Sequence, residues 1–129
     1  MLFHPFGGSF VMTRPPVPPI SLASALRHLP GPKGERYATV LEHGTLDVEV
    51  YAPRGRDPQT PHTRDEVYVV MAGTGTFVNG DARFPFEPGD VLFVPAGIEH
   101  RFENFSDDFV TWVVFYGPEG GEAASDRTA

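Results

Sequence analysis

From Arg36 to Tyr116 the chain is cut every few residues by Gly, Pro, Asn or Asp, and the pieces between the cuts are short runs of β-branched and aromatic residues. A helix of domain size cannot form across such punctuation, whereas short strands joined by tight turns require it. The pattern predicts an all-β domain of about eight strands. They read as YATVLEH, TLDVEVYA, a short piece around His62, EVYVVMA, TFVN, ARFPF, DVLFVP continuing after a turn into EHRFEN, and FVTWVVFY. Asn79-Gly80-Asp81, between TFVN and ARFPF, is a two-residue hairpin signal, because both central positions tolerate positive φ. VYVVMA and DVLFV are apolar on both faces, so these strands are expected between layers or beneath a second copy, in a closed or sandwiched barrel.

Ahead of the barrel, Pro15, Pro16, Pro18, Pro19, Pro30 and Pro32 fix backbone torsions and remove donors, which keeps this region out of a sheet interior. It reads as an arm with one short helix, SLASALRHL. Ser21 is the N-cap, Leu22, Ala25, Leu26 and Leu29 form the apolar face, and Pro30-Gly31 is the stop. The expected organisation is an N-terminal arm over residues 1–35, the barrel over 36–118, and a flexible tail over 119–129, where PEGGEAASDRTA is small, polar and patternless. Met12 precedes a Pro-rich opening that would serve equally well as a chain start, so residues 1–11 are read as a candidate over-extension of the reading frame.

The composition narrows what the barrel can do. With 129 residues and 11 Phe the chain can close a core of its own, and with no cysteine any metal must bind through nitrogen and oxygen. A formal net charge of -7 with no Lys/Arg cluster argues against nucleic acid or an anionic membrane surface as partner. No stretch approaches the roughly 20 apolar residues of a transmembrane helix, and the start, broken by Pro5, Gly7 and Gly8, lacks the form of a secretory signal. The expected location is the cytoplasm and the expected partner a small molecule.

Two segments carry chemistry. In GDVLFVPAGIEHRFEN, Gly89 is followed at fixed offsets by Pro95, Gly97, His100 and Asn104; in PHTRDEVYVVMAG, His62 is followed by Glu66 and Gly73. The first segment resembles the second conserved motif of the cupins at every fixed position, and the second is similar to the first cupin motif from its second His onward. The family commonly has another His two residues before His62, where this chain has Thr60. The resemblance implies a cupin double-stranded β-helix, a jelly-roll-like barrel that often dimerises, and it implies His62, Glu66 and His100 as ligands of one divalent metal ion. Water or substrate would fill the position Thr60 leaves.

The residues add a constraint of their own. On a straight strand His62 and Glu66 would stand about 13 Å apart, too far to share one ion at about 2.0 to 2.2 Å, so the chain must bend at Thr63, Arg64 and Asp65. Two imidazoles and a carboxylate with open positions suit Fe(II), and also Mn, Co, Ni or Zn. The alternative is an ordinary polar cluster at the barrel mouth. His4, His28 and His43 lack partners at ligand spacing. Arg64 lies at even spacing from His62 and Glu66, so it either points inward, able to hold an anionic substrate as a bidentate donor, or faces solvent with Glu99. Phe102 shares strand parity with His100 and is the aromatic placed nearest the metal; Asn104 is read as structural and Gly73-Thr74-Gly75 as a turn. No separate general base or nucleophile is recognisable. Two functions follow: a metal-dependent enzyme, such as a dioxygenase or isomerase, on a small polar molecule, or a non-catalytic barrel that binds a small ligand as a sensor or carrier.

Overall fold

The computed structural model describes residues 14–123. One helix, α1 (Leu22–Leu26), precedes eight strands: β1 (Tyr37–His43), β2 (Leu46–Tyr51), β3 (Asp65–Ala72), β4 (Gly75–Asn79), β5 (Ala82–Phe86), β6 (Val91–Val94), β7 (His100–Glu103) and β8 (Val110–Tyr116). They form a five-stranded sheet in the order β1-β2-β8-β3-β6 and a three-stranded sheet in the order β5-β4-β7. Every pairing is antiparallel. The Asn79↔Ala82 pair closes the β4–β5 hairpin around Gly80 and Asp81, with Gly80 at φ 61°.

Two sequence expectations are corrected here. The piece around His62 is a loop with a bend at Thr63 and Arg64, and DVLFVP and EHRFEN are separate strands in different sheets. Pro95 lacks the donor that would continue β6, and Gly97, at φ 80°, turns the chain across to the other sheet. The strand count survives because this division replaces the lost piece.

Along β3 the residues Glu66, Tyr68 and Val70 are buried while Val67, Val69 and Met71 face outward, the period-2 alternation of a sheet with two different faces. The inward set meets Val94 of β6, Val113 of β8 and the aromatic face of the smaller sheet, giving a core of Tyr51, Tyr68, Phe77, Phe86, Phe102 and Phe109. A Cβ on Gly73 would stand 2.5 Å from the Phe109 Cα, and one on Gly75 2.8 Å from the Phe105 Cα, so the β3–β4 turn must be glycine for the loop before β8 to pack against it. Asn104 adopts φ 52°, a left-handed conformation that suits its structural reading.

A second core lies outside the barrel. Ser21 caps α1, its hydroxyl accepting from Ser24 N at 3.1 Å, and Leu22, Ala25, Leu26 and Leu29 pack on Val50, Ala52, Val110 and Trp112 of the larger sheet. The helix covers only that part. Val91, Phe93 and Met71, farther along the same face, are 68%, 43% and 40% exposed. The beginning of the expected flexible tail is tied down, since Glu122 N donates to the buried Asp65 Oδ2 at 2.8 Å. Residues 124–129, and residues 1–13 with the alternative start at Met12, lie outside the described residues. Among the described residues no helix is long and apolar enough to cross a membrane.

Candidate metal centre

Three separate pieces of chain deliver His62, Glu66 and His100 to one place. His62 is on the loop before β3, Glu66 is the second residue of β3, and His100 opens β7 in the opposite sheet. Backbone ties set the distance: Gly97 N donates to His62 O at 2.7 Å, and Ala96 N donates to Asp65 Oδ1 at 2.9 Å. The Pro95-Gly97 turn is therefore fastened to the bend beside His62, which joins the two sequence motifs physically.

One ligand atom from each residue lies within 4.8 Å of the others. Glu66 Oε1 is 3.1 Å from His100 Nε2 and 3.8 Å from His62 Nε2. Donors bound at about 2.1 Å to one ion stand about 3.0 Å apart in an octahedral and about 3.4 Å in a tetrahedral arrangement, so the Glu66–His100 separation already suits a shared ion and the half-exposed His62 ring would have to move in by a few tenths of an ångström. Glu66 and His100 are 1% and 2% exposed, while the His62 side chain, 34% exposed, forms the open side.

The donor chemistry fits a cation. Glu66 Oε1 is buried without a hydrogen-bond partner, a costly state for a carboxylate oxygen. His100 Nδ1 lies 2.9 Å from the Ile98 carbonyl and must donate to it, so in the neutral ring Nε2 presents a lone pair to the same space. Acceptors thus face acceptors. In the metal-free protein a proton can relieve this. Burial opposes a charge on His100, but the Glu66 carboxylate and the Ile98 carbonyl outweigh it and raise its pKa above the ordinary imidazole value. On His62 burial prevails, against the pull of Glu66 and with the help of His100, and its pKa is lowered.

Beside the triad opens a cavity of about 660 Å³, lined by Arg36, Glu49, Tyr51, Arg54 and Arg56 together with His62 and Glu66. Thr60 lines it but is exposed. Arg64 does not line this cavity: its guanidinium pairs with Asp47 and donates to the Thr45 carbonyl, on the wall of a smaller cavity of about 280 Å³ that shares Glu49, His62 and Phe115 with the larger one. Phe102 does share the inward face with His100, yet it is 2% exposed among the rings of Tyr68, Phe77, Phe86 and Phe109 and lines neither cavity. Glu99 faces solvent.

Sequence reasoning passed over three residues of this centre. Asp65 fixes the turn and the segment after β8 through its two carboxylate oxygens, Ala96 N donating to Oδ1 at 2.9 Å and Glu122 N to Oδ2 at 2.8 Å. Glu49 faces the cavity, and burial, with the carboxylates of Glu66 and Asp47, pushes its pKa up to about 7. Gln59 places its amide oxygen 3.2 Å from His100 Nε2 and 3.4 Å from His62 Nε2. Only the alternation TLDVEVYA, with Glu49 in phase with Asp47 and Tyr51, carried a signal for any of them.

Comparison with known proteins agrees with this architecture. The cupin domain model matches residues 47–116. An uncharacterized protein of Streptomyces coelicolor is 36% identical over 85 residues, 64% of this chain and 81% of that one. Glucose-6-phosphate isomerase of Pyrococcus horikoshii is 32% identical over 88 residues, 64% of this chain but 46% of the enzyme, so the chain spans less than half of that relative. The crystal structure of a cupin 2 conserved barrel domain protein from Salinispora arenicola superposes with a TM-score of 0.53 at 25% identity, over 63% of this chain and 74% of that one. With the motif spacing, the two antiparallel sheets and the family match in agreement, the chain belongs to the cupins.

Proposed function

We propose that this cupin is a metal-dependent enzyme acting on a small anionic molecule, with His62, Glu66 and His100 holding one divalent ion. The observation that carries the reading is the buried, unpartnered Glu66 Oε1, facing two imidazole nitrogens beside a cavity that His62 and Glu66 help to line. When bound, such an ion supplies Lewis acidity or, if it is redox-active, a centre for dioxygen chemistry. His100 is held by Ile98 with Nε2 inward, and His62 stands at the opening against the edge of Phe115, its ring centroid 4.8 Å away. Glu49 lines the same cavity, and in the metal-free protein burial, with the Glu66 and Asp47 carboxylates, raises its pKa to about 7, so it is placed to hold or release a proton there.

The ligand class follows from charge. Arg36, Arg54 and Arg56 line the cavity, and among the described residues none of them makes a salt bridge. Burial and the nearby charge of Arg54 lower the pKa of Arg36, so guanidinium groups are gathered here against their own repulsion. Of the acids in the wall, Glu35 accepts from Lys33 N at 2.7 Å and Glu49 is raised toward neutrality. A carboxylate or phosphate would complete the set. The phosphorylated sugar in the name of the Pyrococcus isomerase falls in this class.

Calorimetry on the metal-loaded protein tests this with matched probes, succinate against succinamide and glucose 6-phosphate against glucose. The anion of at least one pair should bind, the neutral partner at least about tenfold more weakly, and the Arg54→Gln/Arg56→Gln double variant should lose a similar factor, given the strength of charge-assisted hydrogen bonds. Equal binding of charged and uncharged probes would remove the anionic class. An anion that binds at the metal and is returned unchanged would assign the barrel to ligand binding without catalysis.

The proposed assembly is a homodimer. Val67, Val69, Met71, Val91, Phe93 and Val114 form an apolar strip on the outer face that α1 leaves uncovered, ending at the edge strand β6. A second copy laid on this strip would bury it. Light scattering should give twice the 14.1 kDa chain mass, and Phe93→Glu should halve it. A monomeric wild type contradicts the assembly.

A further inference from the structure

Gln59 carries a role that no motif position assigns to it. The loop Pro58-Gln59-Thr60-Pro61 is stiffened by a proline on either side, and it enters the centre through Gln59 rather than through exposed Thr60. Gln59 Oε1 lies 3.2 Å from His100 Nε2 and 3.4 Å from His62 Nε2, in the same space that Glu66 Oε1 approaches from β3.

The orientation of the amide is determined by its partners. Gln59 Nε2 donates to Asp57 Oδ2 at 2.7 Å, and that oxygen also accepts from Phe102 N at 2.8 Å. The other Asp57 oxygen is bonded by the Tyr51 hydroxyl. An ionised carboxylate only accepts, so the NH₂ group must face Asp57 and the oxygen must face the histidines. Tyr68 donates its hydroxyl to Oε1 at 2.7 Å, which takes one lone pair and leaves the other directed at the imidazoles. With His100 Nδ1 committed to Ile98, the second lone pair of Gln59, Glu66 Oε1 and, in the neutral ring, His100 Nε2 crowd together with no donor of their own among them.

We propose that Gln59 is the fourth protein donor of the metal centre, its neutral amide oxygen standing in for the histidine that the family motif would put at Thr60, and that Asp57 is the positioning residue that aims it. The inference rests on the metal-centre reading given above. Two nitrogens and two oxygens carrying a single negative charge form a hard donor set, suited to Fe(II), Mn(II) or Co(II) more than to copper.

Co²⁺ is the probe, added to the full chain and followed by visible absorption and by competition with a chelator. Gln59→Leu should weaken Co²⁺ by at least about tenfold, no less than a typical outer-shell change, and alter the ligand-field spectrum, since a donor is lost from the ion itself. Thr60→Ala should change neither. Asp57→Asn, which keeps the shape but removes the orienting charge, should give a smaller loss with the same direction of spectral change, and it serves should Gln59→Leu fail to fold. If wild type takes up one equivalent and neither the Gln59 nor the Asp57 variant moves affinity or spectrum, the fourth-donor assignment is overturned and the triad stands. If wild type takes up no Co²⁺, both fall.

Discussion

Glu66→Gln should abolish metal binding while leaving the metal-free barrel at least as stable as wild type at pH 8. The two effects have one cause. The Glu66 side chain is 1% exposed and its Oε1 faces His100 Nε2 at 3.1 Å, which is no donor while that ring is neutral, so the folded protein then keeps a buried carboxylate whose desolvation costs several kcal/mol before any compensation. The amide has the same shape without the charge, and a gain of about 1 to 2 kcal/mol is the expected scale when a functional group of this kind is neutralised. Affinity for the ion should fall by at least about a hundredfold, more than outer-shell changes typically produce. A structural ion pair between Glu66 and protonated His100 makes the opposite forecast, because breaking a buried pair costs about 3 to 5 kcal/mol. Denaturant unfolding of the metal-free proteins, set beside a metal titration of each, separates the two accounts; a variant that is several kcal/mol weaker and still binds metal would refute the functional one.

Phe102→Ala should cost about 3 to 5 kcal/mol of stability. Its ring centroid lies 4.7 to 5.5 Å from those of Phe109, Tyr68, Phe86 and Phe77, in contacts ranging from tilted to edge-on, and almost none of its surface is exposed. Truncation would leave a void between the two sheets that neighbours on regular strands can fill only in part. The same variant, where it remains folded, should keep the metal affinity of wild type within a few fold. A Phe102→Ala protein that is stable but deficient in metal or ligand binding would instead put the ring at the site wall.

Phe102 also shows what a sequence can and cannot tell about such a barrel. Strand parity correctly set it on the inward face with His100, but parity names a face and not a depth. The inward face of β7 begins at the metal centre and two residues later is in the core. His62, Glu66 and His100 were legible because their motifs fix both residue types and the glycine and proline turns that bring them together. The need for a bend between His62 and Glu66 followed from strand geometry, and the bend is at Thr63 and Arg64.

Gln59, Asp57 and Asp65 were not legible for a different reason. Each acts from or upon an irregular segment, where no periodicity relates position to direction. Thr60 held the motif position, yet the path of a loop between two prolines delivers its neighbour instead. Arg64 could be narrowed to inward or outward, but the choice was made by Asp47 and the Thr45 carbonyl on a hairpin well separated in sequence. The arginines of the cavity are likewise separated along the chain and come together only when the residue before β1 and the loop after β2 line one cavity.

The central claim is that the triad holds a metal ion, and the most direct measurement is elemental analysis of the untagged protein, wild type beside His62→Ala, as purified and after incubation with Fe(II), Mn(II), Co(II), Ni(II) or Zn(II). About one equivalent of a divalent transition metal in wild type, lost in the variant, is the expected result. No metal in wild type under any of these conditions, or the same content in both proteins, would contradict it.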